Sequence, residues 1–215
     1  MSKAEDIFTD IYRTGLWRKL VPREETHSGA GSTYAATQAV RQFLPDLCRR
    51  LEVETFLDVP CGDFNWMRHV DLDVKLYVGA DIVRELIGHN RVTYGRPPRV
   101  FLWMDLLAEV APPPADLVLC RDCLQHLSFD DAWKAIENIR RSGATHLLTT
   151  TYTDRKNDRS IETGKWTPYN LQEPPFGFPE PDELLNEECR EVYPFFTDKC
   201  LGLWKVADVP ERSEQ

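Results

Sequence analysis

The sequence of 215 residues contains no long apolar run, and its first residues are not a basic segment followed by an apolar one. A membrane-spanning helix needs about 20 mostly apolar residues, and a secretory leader needs both of those regions. We therefore expect a cytoplasmic protein with no membrane contact. A net charge of −9 argues against a nucleic-acid partner, because nucleic-acid-binding surfaces are broadly basic.

Cysteine pairs with metal-binding spacing are almost absent. The sequence has six cysteines, of which Cys120 and Cys123 have the Cys-x-x-Cys spacing. A structural zinc site takes four ligands, and neither a second such pair nor a His-x-His pair accompanies these two. We expect free thiols, as in a reducing compartment, and no metal. Cys120 ends an apolar strand and suits buried packing.

Glycine is scarce in the stretch that organises the chain, Leu57-Asp-Val-Pro-Cys-Gly-Asp-Phe64. An apolar run ends in a turn at Gly62, and the pattern predicts a helix over 64–70 with Asp63 as its N-cap. Strand, turn and helix together present backbone N–H groups to the charged end of a ligand. An ordinary turn with a structural glycine is the alternative for this stretch alone.

The missing glycines decide between two classes of nucleotide ligand. A dinucleotide fold uses three glycines to approach a pyrophosphate, and here Pro60 and Phe64 occupy two of those positions. Asp58 and Asp63 would repel a pyrophosphate, whereas they suit sulfonium and ammonium groups. Asp81 ends the next apolar run, at the offset of about 20 residues where an acid accepts hydrogen bonds from a ribose. The pattern favours S-adenosylmethionine over NAD.

Segments over residues 28–206 resemble the motifs of class I S-adenosylmethionine-dependent methyltransferases. Four segments carry this resemblance: Leu57-Asp-Val-Pro-Cys-Gly-Asp-Phe64, Gly79-Ala-Asp-Ile82, Trp103-Met-Asp-Leu106 and Asp116-Leu-Val-Leu-Cys-Arg-Asp122. Three more are similar to hallmarks of a small bacterial subgroup: Ser28-Gly-Ala-Gly-Ser-Thr33, Cys120-Arg-Asp-Cys-Leu-Gln-His-Leu-Ser128 and Asn170-Leu-Gln-Glu-Pro-Pro-Phe176. The resemblance implies a methyltransferase that uses S-adenosylmethionine as cofactor, but it implies no particular substrate.

The resemblance implies that the cofactor binds beyond the carboxyl ends of the strands, as ligands do in open α/β sheets. Asp105 would accept from the adenine amino group between Met104 and Leu106, although a helix cap suits Asp105 as well. The segment Ser32–Thr33 would bind the methionine carboxylate or simply cap a helix over 34–50. The cofactor set is Ser32, Thr33, Asp58, Pro60, Cys61, Gly62, Asp81, Ile82, Met104, Asp105, Leu106 and Arg121.

Two residues that follow the fourth strand suit proton transfer. Asp122 and His126 are four residues apart, so a helical turn would place them on one face. His126 has a reference pKa of about 6.5, which suits a general base, and Asp122 could orient it or act alone. In the alternative, His126 only holds the start of the next helix, where Ser128 suits the N-cap. Arg121 would pair with an acid of the cofactor loop or bind an anionic substrate.

Two segments are candidates for covering the substrate. An amphipathic helix predicted over 6–20, weakened at Gly15, carries Tyr12 and Trp17. The loop over 153–183 is long and rich in proline, and such loops are usually functional or disordered. Its aromatic residues favour an ordered lid, and packing alone is the alternative for both segments. The predicted substrate contacts are Tyr12, Trp17, Asn157, Trp166, Tyr169 and Asn170.

Apolar strands alternate with helices in the middle of the chain, which predicts a parallel sheet covered on both faces. We expect a Rossmann-like α/β fold of seven mostly parallel strands with a C-terminal antiparallel hairpin. The predicted strands are 55–59, 76–80, 99–104, 115–120, 145–151, 190–196 and 200–206, and the predicted core helices are 64–70, 83–93 and 129–141. One domain over 1–215 would contain an N-terminal helical cap (1–50), a cofactor core (51–152), a substrate lid loop (153–188) and the hairpin (189–207).

The favoured activity is methyl transfer from S-adenosylmethionine to a hydroxyl of a small molecule or sugar, by a monomer or homodimer without nucleic acid. A carboxylate acceptor has no proton to lose, so His126 would then be dispensable, and methylation of an amine is also open. A non-catalytic domain that binds a cofactor or partner is disfavoured, because acids at three strand ends accompany the histidine at the fourth.

Overall fold

The computed structural model describes residues 2–21, 25–189 and 196–212. In these ranges seven strands form one sheet in the order β3-β2-β1-β4-β5-β7-β6. Neighbouring strands among β1 to β5 are parallel, whereas β7 is antiparallel to both β5 and β6. This confirms the predicted mostly parallel α/β sheet. The strands are β1 (Thr55–Asp58), β2 (Leu76–Asp81), β3 (Arg99–Trp103), β4 (Leu117–Cys120), β5 (His146–Tyr152), β6 (Glu183–Asn186) and β7 (Lys199–Lys205).

Four α-helices lie within the described ranges: α1 (Lys3–Thr14), α2 (Gln38–Arg50), α3 (Arg84–Tyr94) and α4 (Phe129–Arg141). None of them has the length and apolar character needed to cross a membrane. α1 ends at Gly15, whose φ of +64° is a left-handed conformation that glycine adopts readily. The predicted helix over 6–20 therefore stops early, and Trp17 lies beyond it. α4 has its predicted bounds, and the Ser128 hydroxyl oxygen caps it.

The core occupies both faces of the sheet, and β4 shows why. Its four residues are all buried, and alternate side chains of a strand point to opposite faces. Leu117 and Leu119 join the cluster that contains Leu44 of α2, while Val118 joins the cluster that contains Ile136 of α4. A strand buried on both faces reads as a continuous apolar run, which is how the parallel sheet was predictable.

The helix predicted over 64–70 does not form. Phe64 has a φ of +59°, which an α-helix excludes, and only a short 3₁₀ turn follows at Met67–His69. Asp63 therefore caps no helix. Its carboxylate accepts hydrogen bonds from the Thr26 hydroxyl at 2.8 Å and from the His27 backbone N–H at 2.7 Å. Asp63 therefore joins the loop after β1 to the loop that contains Thr26 and His27. The residues next to Asp63 in the sequence gave no indication of this contact.

The C-terminal part of the sheet differs from the predicted hairpin. The strand predicted over 190–196 lies outside the described residues, apart from Phe196. Within the described chain β7 pairs antiparallel with β6, Glu183 facing Leu203, so part of the predicted lid loop is a strand. The helix predicted over 34–50 begins later, at Gln38, and Thr33 instead accepts the Ala36 N–H in the turn before it.

Candidate functional site

A cavity lies at the carboxyl ends of β1 to β4, where the sequence predicts the cofactor. The cavity and the solvent-open space at its mouth together amount to about 960 Å³. Most of the predicted site residues line it: Tyr12, Trp17, Ser32, Asp58, Pro60, Cys61, Gly62, Asp81, Ile82, Met104, Asp105, Leu106, Arg121, Asp122 and His126. The lining does not include Thr33, Asn157, Trp166, Tyr169 or Asn170.

Two buried carboxylates, Asp58 and Asp81, form the floor of the cavity. Asp58 accepts a hydrogen bond from the Tyr77 hydroxyl. Asp81 accepts from the backbone N–H groups of Gly62 and Val83 at 3.1 and 2.9 Å. Burial raises the pKa of Asp58 to about 7 and the pKa of Asp81 to about 6. Because burial disfavours the ionised forms, this floor favours a ligand that brings positive charge or hydroxyl donors.

Gly62 lets the backbone turn tightly beside this floor. Its φ is +55°, and a Cβ atom there would lie 2.4 Å from the Ser28 Oγ, so a side chain has neither room nor a relaxed backbone. The Ser28 hydroxyl also accepts from the Asp63 N–H at 3.1 Å and lies 2.9 Å from the Tyr12 hydroxyl. Ser28 lines the cavity, although it was not among the site residues predicted from the sequence.

An apolar slot lies beyond β3, formed by Ile82, Met104 and Leu106. Asp105 lies in this slot and is 5% exposed. Its Oδ1 accepts a hydrogen bond from the Leu107 N–H at 2.8 Å, and the described chain turns there without entering a helix. The helix-cap alternative for Asp105 is therefore wrong, and a buried carboxylate sits between apolar side chains.

Four charged side chains form a cluster at the end of β4, in which Arg121, Lys199 and Glu187 are buried and Asp122 is partly exposed. Asp122 lies 3.1 Å from Arg121 and 2.9 Å from Lys199, while Arg121 lies 2.6 Å from Glu187. Burial alone would raise the pKa of Asp122, but the charges of Arg121 and Lys199 outweigh it and hold the pKa well below its usual range. Asp122 thus stays ionised at neutral pH and is unsuited to take a proton, so its predicted action as a base is not supported.

His126 lies in a short 3₁₀ turn, Leu124–His126, and not on a helical face shared with Asp122. Its Nδ1 is 3.1 Å from the Lys165 carbonyl oxygen. A carbonyl can only accept, so Nδ1 carries the proton and Nε2 keeps its lone pair. Burial lowers the pKa of His126, although the charge of Asp122 opposes it. The imidazole is neutral at pH 7 and is oriented by Lys165, not by the predicted Asp122.

α1 and the residues after it cover one side of the cavity with aromatic rings. The Trp17 ring centroid lies 6.1 Å from Phe8, 5.6 Å from Tyr12 and 4.8 Å from His126. We call Phe8, Tyr12, Trp17 and His126 the aromatic wall. Three of the four were predicted from the sequence as site residues. Phe8 was not, although it lies four residues before Tyr12 and therefore on the same helix face.

α1 is fastened to the core beside the cavity. Glu5 is 1% exposed and pairs with Arg84 at 2.7 Å. Arg84 in turn stacks on Trp103, with its guanidinium carbon 3.7 Å from the ring centroid. These contacts join the first turn of α1 to the start of α3, which follows the Asp81 floor. The cavity is thus covered by a helix that has its own attachment points.

The predicted contact residues of the long loop pack on the core and do not line the cavity. The Asn157 side-chain amide donates to the backbone carbonyls of Asn170 and Pro174 at 2.7 and 3.0 Å. Tyr169 is 2% exposed, and its hydroxyl donates to the Leu127 carbonyl. Trp166 is 40% exposed and packs edge-on against Tyr152. The roles of Asn157, Trp166, Tyr169 and Asn170 as substrate contacts stay predictions, and the cavity does not support them.

No family model matches this sequence, and no curated protein matches it. Solved structures do. An S-adenosylmethionine-dependent methyltransferase from Clostridium acetobutylicum ATCC 824 is 14% identical at a TM-score of 0.57, over 82% of this chain and 93% of that one. Magnesium protoporphyrin IX methyltransferase from Synechocystis PCC 6803, with bound S-adenosylhomocysteine, is 17% identical at 0.52, over 70% and 73%.

The N-methyltransferase NodS from Bradyrhizobium japonicum WM9, in complex with S-adenosylhomocysteine, is 17% identical at a TM-score of 0.50, over 66% of this chain and 73% of that one. The chain also spans 66% of the length of the bacterial CtHen1 methyltransferase domain, at a TM-score of 0.48. Identities this low show a shared fold. This chain has the Rossmann-like fold of class I methyltransferases, as the sequence predicted.

Proposed function

We propose that this chain is an S-adenosylmethionine-dependent methyltransferase that acts on a hydroxyl group of a small molecule. The observation that carries the proposal is one cavity that combines the buried acids Asp58 and Asp81 with an imidazole, His126, whose Nε2 has a lone pair. The first feature suits a cationic nucleoside ligand, and the second suits the removal of a proton. The methyltransferase fold supports the same conclusion.

The cavity residues fit S-adenosylmethionine. Asp81 would accept from the ribose hydroxyls, and Met104 and Leu106 would enclose the adenine with Asp105 as acceptor. The positive ammonium and sulfonium groups of S-adenosylmethionine would stabilise the ionised forms of Asp58 and Asp81. The pyrophosphate of NAD is negative and would not. Thr33 lies outside the cavity, so Ser32 is the better placed residue for the methionine carboxylate. When bound, S-adenosylmethionine supplies a methyl group on a sulfur that leaves as a neutral thioether.

The aromatic wall would bind the acceptor, and His126 would take its proton. Nε2 removes the hydroxyl proton, and the Nδ1–H bond to the Lys165 carbonyl stabilises the imidazolium that forms. A positioned base contributes about 10²–10⁴ in rate. Holding the two reactants together contributes up to about 7–11 kcal/mol of the barrier. The Lys165 carbonyl would orient the imidazole, and Asp122 would act only indirectly, by accepting from the Gln125 amide in the turn that carries His126.

Transfer to an amine or a carboxylate is the second candidate. A carboxylate is ionised at neutral pH and needs no base, and the neutral, oriented imidazole of His126 favours a hydroxyl over it. A non-catalytic module would have no use for an oriented base beside the floor acids. A cytoplasmic location, a small-molecule acceptor without nucleic acid, a monomer or homodimer, and membership of the bacterial subgroup are further parts of the proposal.

Calorimetric titration tests the cofactor. We expect the purified protein to bind S-adenosylmethionine and S-adenosylhomocysteine but not NAD. Asp81→Asn should weaken this binding about 10- to 100-fold, because each hydrogen bond to a charged group is worth about 1.5–3 kcal/mol. The exposed Asp73→Asn is the matched control and should bind normally. If the protein bound NAD but not S-adenosylmethionine, the proposed cofactor would be wrong. Unchanged affinity of Asp81→Asn for S-adenosylmethionine would show that Asp81 does not contact it.

A further inference from the structure

The aromatic wall has a composition that restricts the acceptor. Trp17 is its centre, with ring centroids of Phe8, Tyr12 and His126 at 6.1, 5.6 and 4.8 Å. Leu127 continues the same side of the cavity. Rings in this arrangement present flat apolar faces and polarised edges, which attract another aromatic ring beyond what buried area alone provides.

We propose that the methyl acceptor is a planar aromatic ring with a hydroxyl group, and that it binds along the aromatic wall with this hydroxyl at Nε2 of His126. This inference rests on the proposed methyltransferase function and narrows its acceptor from any small alcohol or sugar to a phenol.

The polar groups near the wall argue against a sugar. A sugar ring brings several hydroxyls that lose hydrogen bonds to water when they are buried, so its site must replace them. The Tyr12 hydroxyl is engaged with Ser28, and Nδ1 of His126 is engaged with the Lys165 carbonyl. The carboxylate of Asp122 already bonds to basic partners. Among the described wall residues, this leaves Nε2 of His126 to accept from one hydroxyl and the Trp17 indole N–H as a single further donor.

Acid–base matching supports the same class of acceptor. A phenolic hydroxyl has a pKa of about 10, as in tyrosine, whereas the pKa of water is about 15.7 and aliphatic alcohols are similarly weak acids. Burial lowers the pKa of His126, which keeps its imidazole neutral but also makes it a weaker base. A weak base suits the more acidic hydroxyl, so a phenol is the acceptor that His126 can activate.

The test measures acceptor binding to protein saturated with S-adenosylhomocysteine, by calorimetry and by saturation-transfer NMR. Three probes separate the alternatives: 2-naphthol is flat and phenolic, decahydro-2-naphthol has the same carbon skeleton without the flat ring, and methyl glucoside is a sugar. We expect 2-naphthol to bind at least tenfold more tightly than the other two. With S-adenosylmethionine, the methyl group should appear on the oxygen of 2-naphthol.

Variants of the wall make the assignment specific. Trp17→Ala should weaken 2-naphthol binding about tenfold, in line with the loss of an aromatic contact, while Trp17→Phe should keep most of it. Leu20→Ala changes a residue of the same segment that is 70% exposed, and it should bind like the normal protein. S-adenosylhomocysteine affinity of each variant, measured first, shows that the cavity is intact.

The outcomes separate this inference from the function on which it rests. If S-adenosylhomocysteine does not bind, the proposed function fails and the inference fails with it. If S-adenosylhomocysteine binds but methyl glucoside binds better than 2-naphthol, or none of the three probes binds, the phenol inference alone is overturned. Binding of 2-naphthol that Trp17→Ala does not weaken overturns the placement along the wall.

Discussion

The N-terminal segment 3–17 and the long loop 153–182 both pack near the carboxyl ends of the strands, and both are rich in aromatic residues. The N-terminal segment places its rings in the cavity, at Phe8, Tyr12 and Trp17. The loop buries its rings in the core instead, at Tyr169, Phe176 and Phe178. Aromatic content therefore does not distinguish a cover of the site from a packed loop. Whether the rings line the cavity does distinguish them.

The two regions are also held in different ways. α1 is attached by side chains at a few points, among them Glu5 with Arg84 and Tyr12 with Ser28. The loop is held through its backbone, because the amides of Asn157 and Asn170 donate to several of its carbonyls. A segment attached by few side chains can open at low cost, whereas a loop with several of its carbonyls engaged by buried or half-buried amides opens at a higher cost. We infer that α1 is the part that moves when ligands exchange.

The largest expected effect falls on His126, where the two regions meet. Trp17 contacts its ring from one region, and the Lys165 carbonyl orients it from the other. His126→Ala should lower turnover by about 10²–10⁴, the contribution of a positioned base, and should leave cofactor affinity nearly unchanged. Turnover of the normal enzyme should rise with pH and level off before neutral pH, because burial lowers the pKa of His126 below its ordinary value.

Steady-state kinetics between pH 5 and 9 and calorimetry on the same samples check this prediction. The exposed His89→Ala serves as the control for loss of an imidazole. Normal turnover of His126→Ala on a hydroxyl acceptor would contradict the base role. A variant that does not fold would point to the structural role of the histidine instead.

The cavity floor under α1 should make the ligand-free protein less stable as the pH rises. Burial raises the pKa of Asp58 to about 7, from an ordinary value of 3.8. The folded state therefore binds the proton more tightly than the unfolded state, and this contribution is present below about pH 4 and lost as the pH rises through 7. At 1.36 kcal/mol for each pKa unit, the loss is up to about 4 kcal/mol.

Thermal unfolding between pH 5 and 7.5 measures this loss. Asp58→Asn cannot ionise and should show a shallower fall of the melting temperature than the normal protein. S-adenosylhomocysteine, which brings an ammonium group, should raise the melting temperature most at the upper end of the range. If the melting temperature fell equally with pH in Asp58→Asn and the normal protein, the pKa of Asp58 would not be raised by folding.

Removing an amide from the loop should reduce stability without changing cofactor binding. Asn157→Ala leaves the carbonyls of Asn170, Glu173 and Pro174 without this donor. We expect a loss of about 1–3 kcal/mol in the free energy of unfolding, measured by urea denaturation. Asp158→Ala alters the exposed neighbour and should be neutral. Weaker cofactor binding in Asn157→Ala would show that the loop belongs to the site and would break the contrast with α1.

A smaller effect is expected from Tyr12→Phe, which removes one hydroxyl of α1 and keeps the ring in the wall. The Tyr12 hydroxyl lies 2.9 Å from the Ser28 Oγ beside Gly62. A hydrogen bond contributes about 0.5–1.5 kcal/mol net, so S-adenosylhomocysteine affinity should fall about 2- to 10-fold. Tyr34→Phe, at a 49% exposed ring, is the control. An unchanged dissociation constant would show that this bond does not hold the cover closed.

The sheet was predictable from the sequence because parallel strands are apolar on both faces. β1 to β5 lie within two residues of their predicted bounds. The prediction of a helix after Gly62 was wrong for a local reason. Phe64 adopts a left-handed backbone conformation, and the pattern of apolar residues does not reveal it. β6 was missed because its pairing with β7 is long-range, and its burial alternates weakly along the strand.

The cofactor end of the cavity was also predictable, because its acids sit at strand ends and strand ends meet at one edge of a parallel sheet. The acceptor end was not. After Arg121, Lys199 also lowers the pKa of Asp122. Lys199 and Asp122 are 77 residues apart, and the antiparallel pairing of β7 with β5 brings them together. The backbone carbonyl of Lys165 orients His126, and because every residue has such a carbonyl, the sequence could not predict this contact.

Hydrogen exchange with and without S-adenosylhomocysteine tests most directly whether α1, and not the long loop, is the moving cover of the site. We predict that the amides of α1 and of residues 15–21 exchange at least tenfold more slowly when the ligand is bound. The loop 153–182 should exchange slowly in both states. Strong ligand-dependent protection of the loop, with α1 unchanged, would contradict the account and return the role of the lid to the loop.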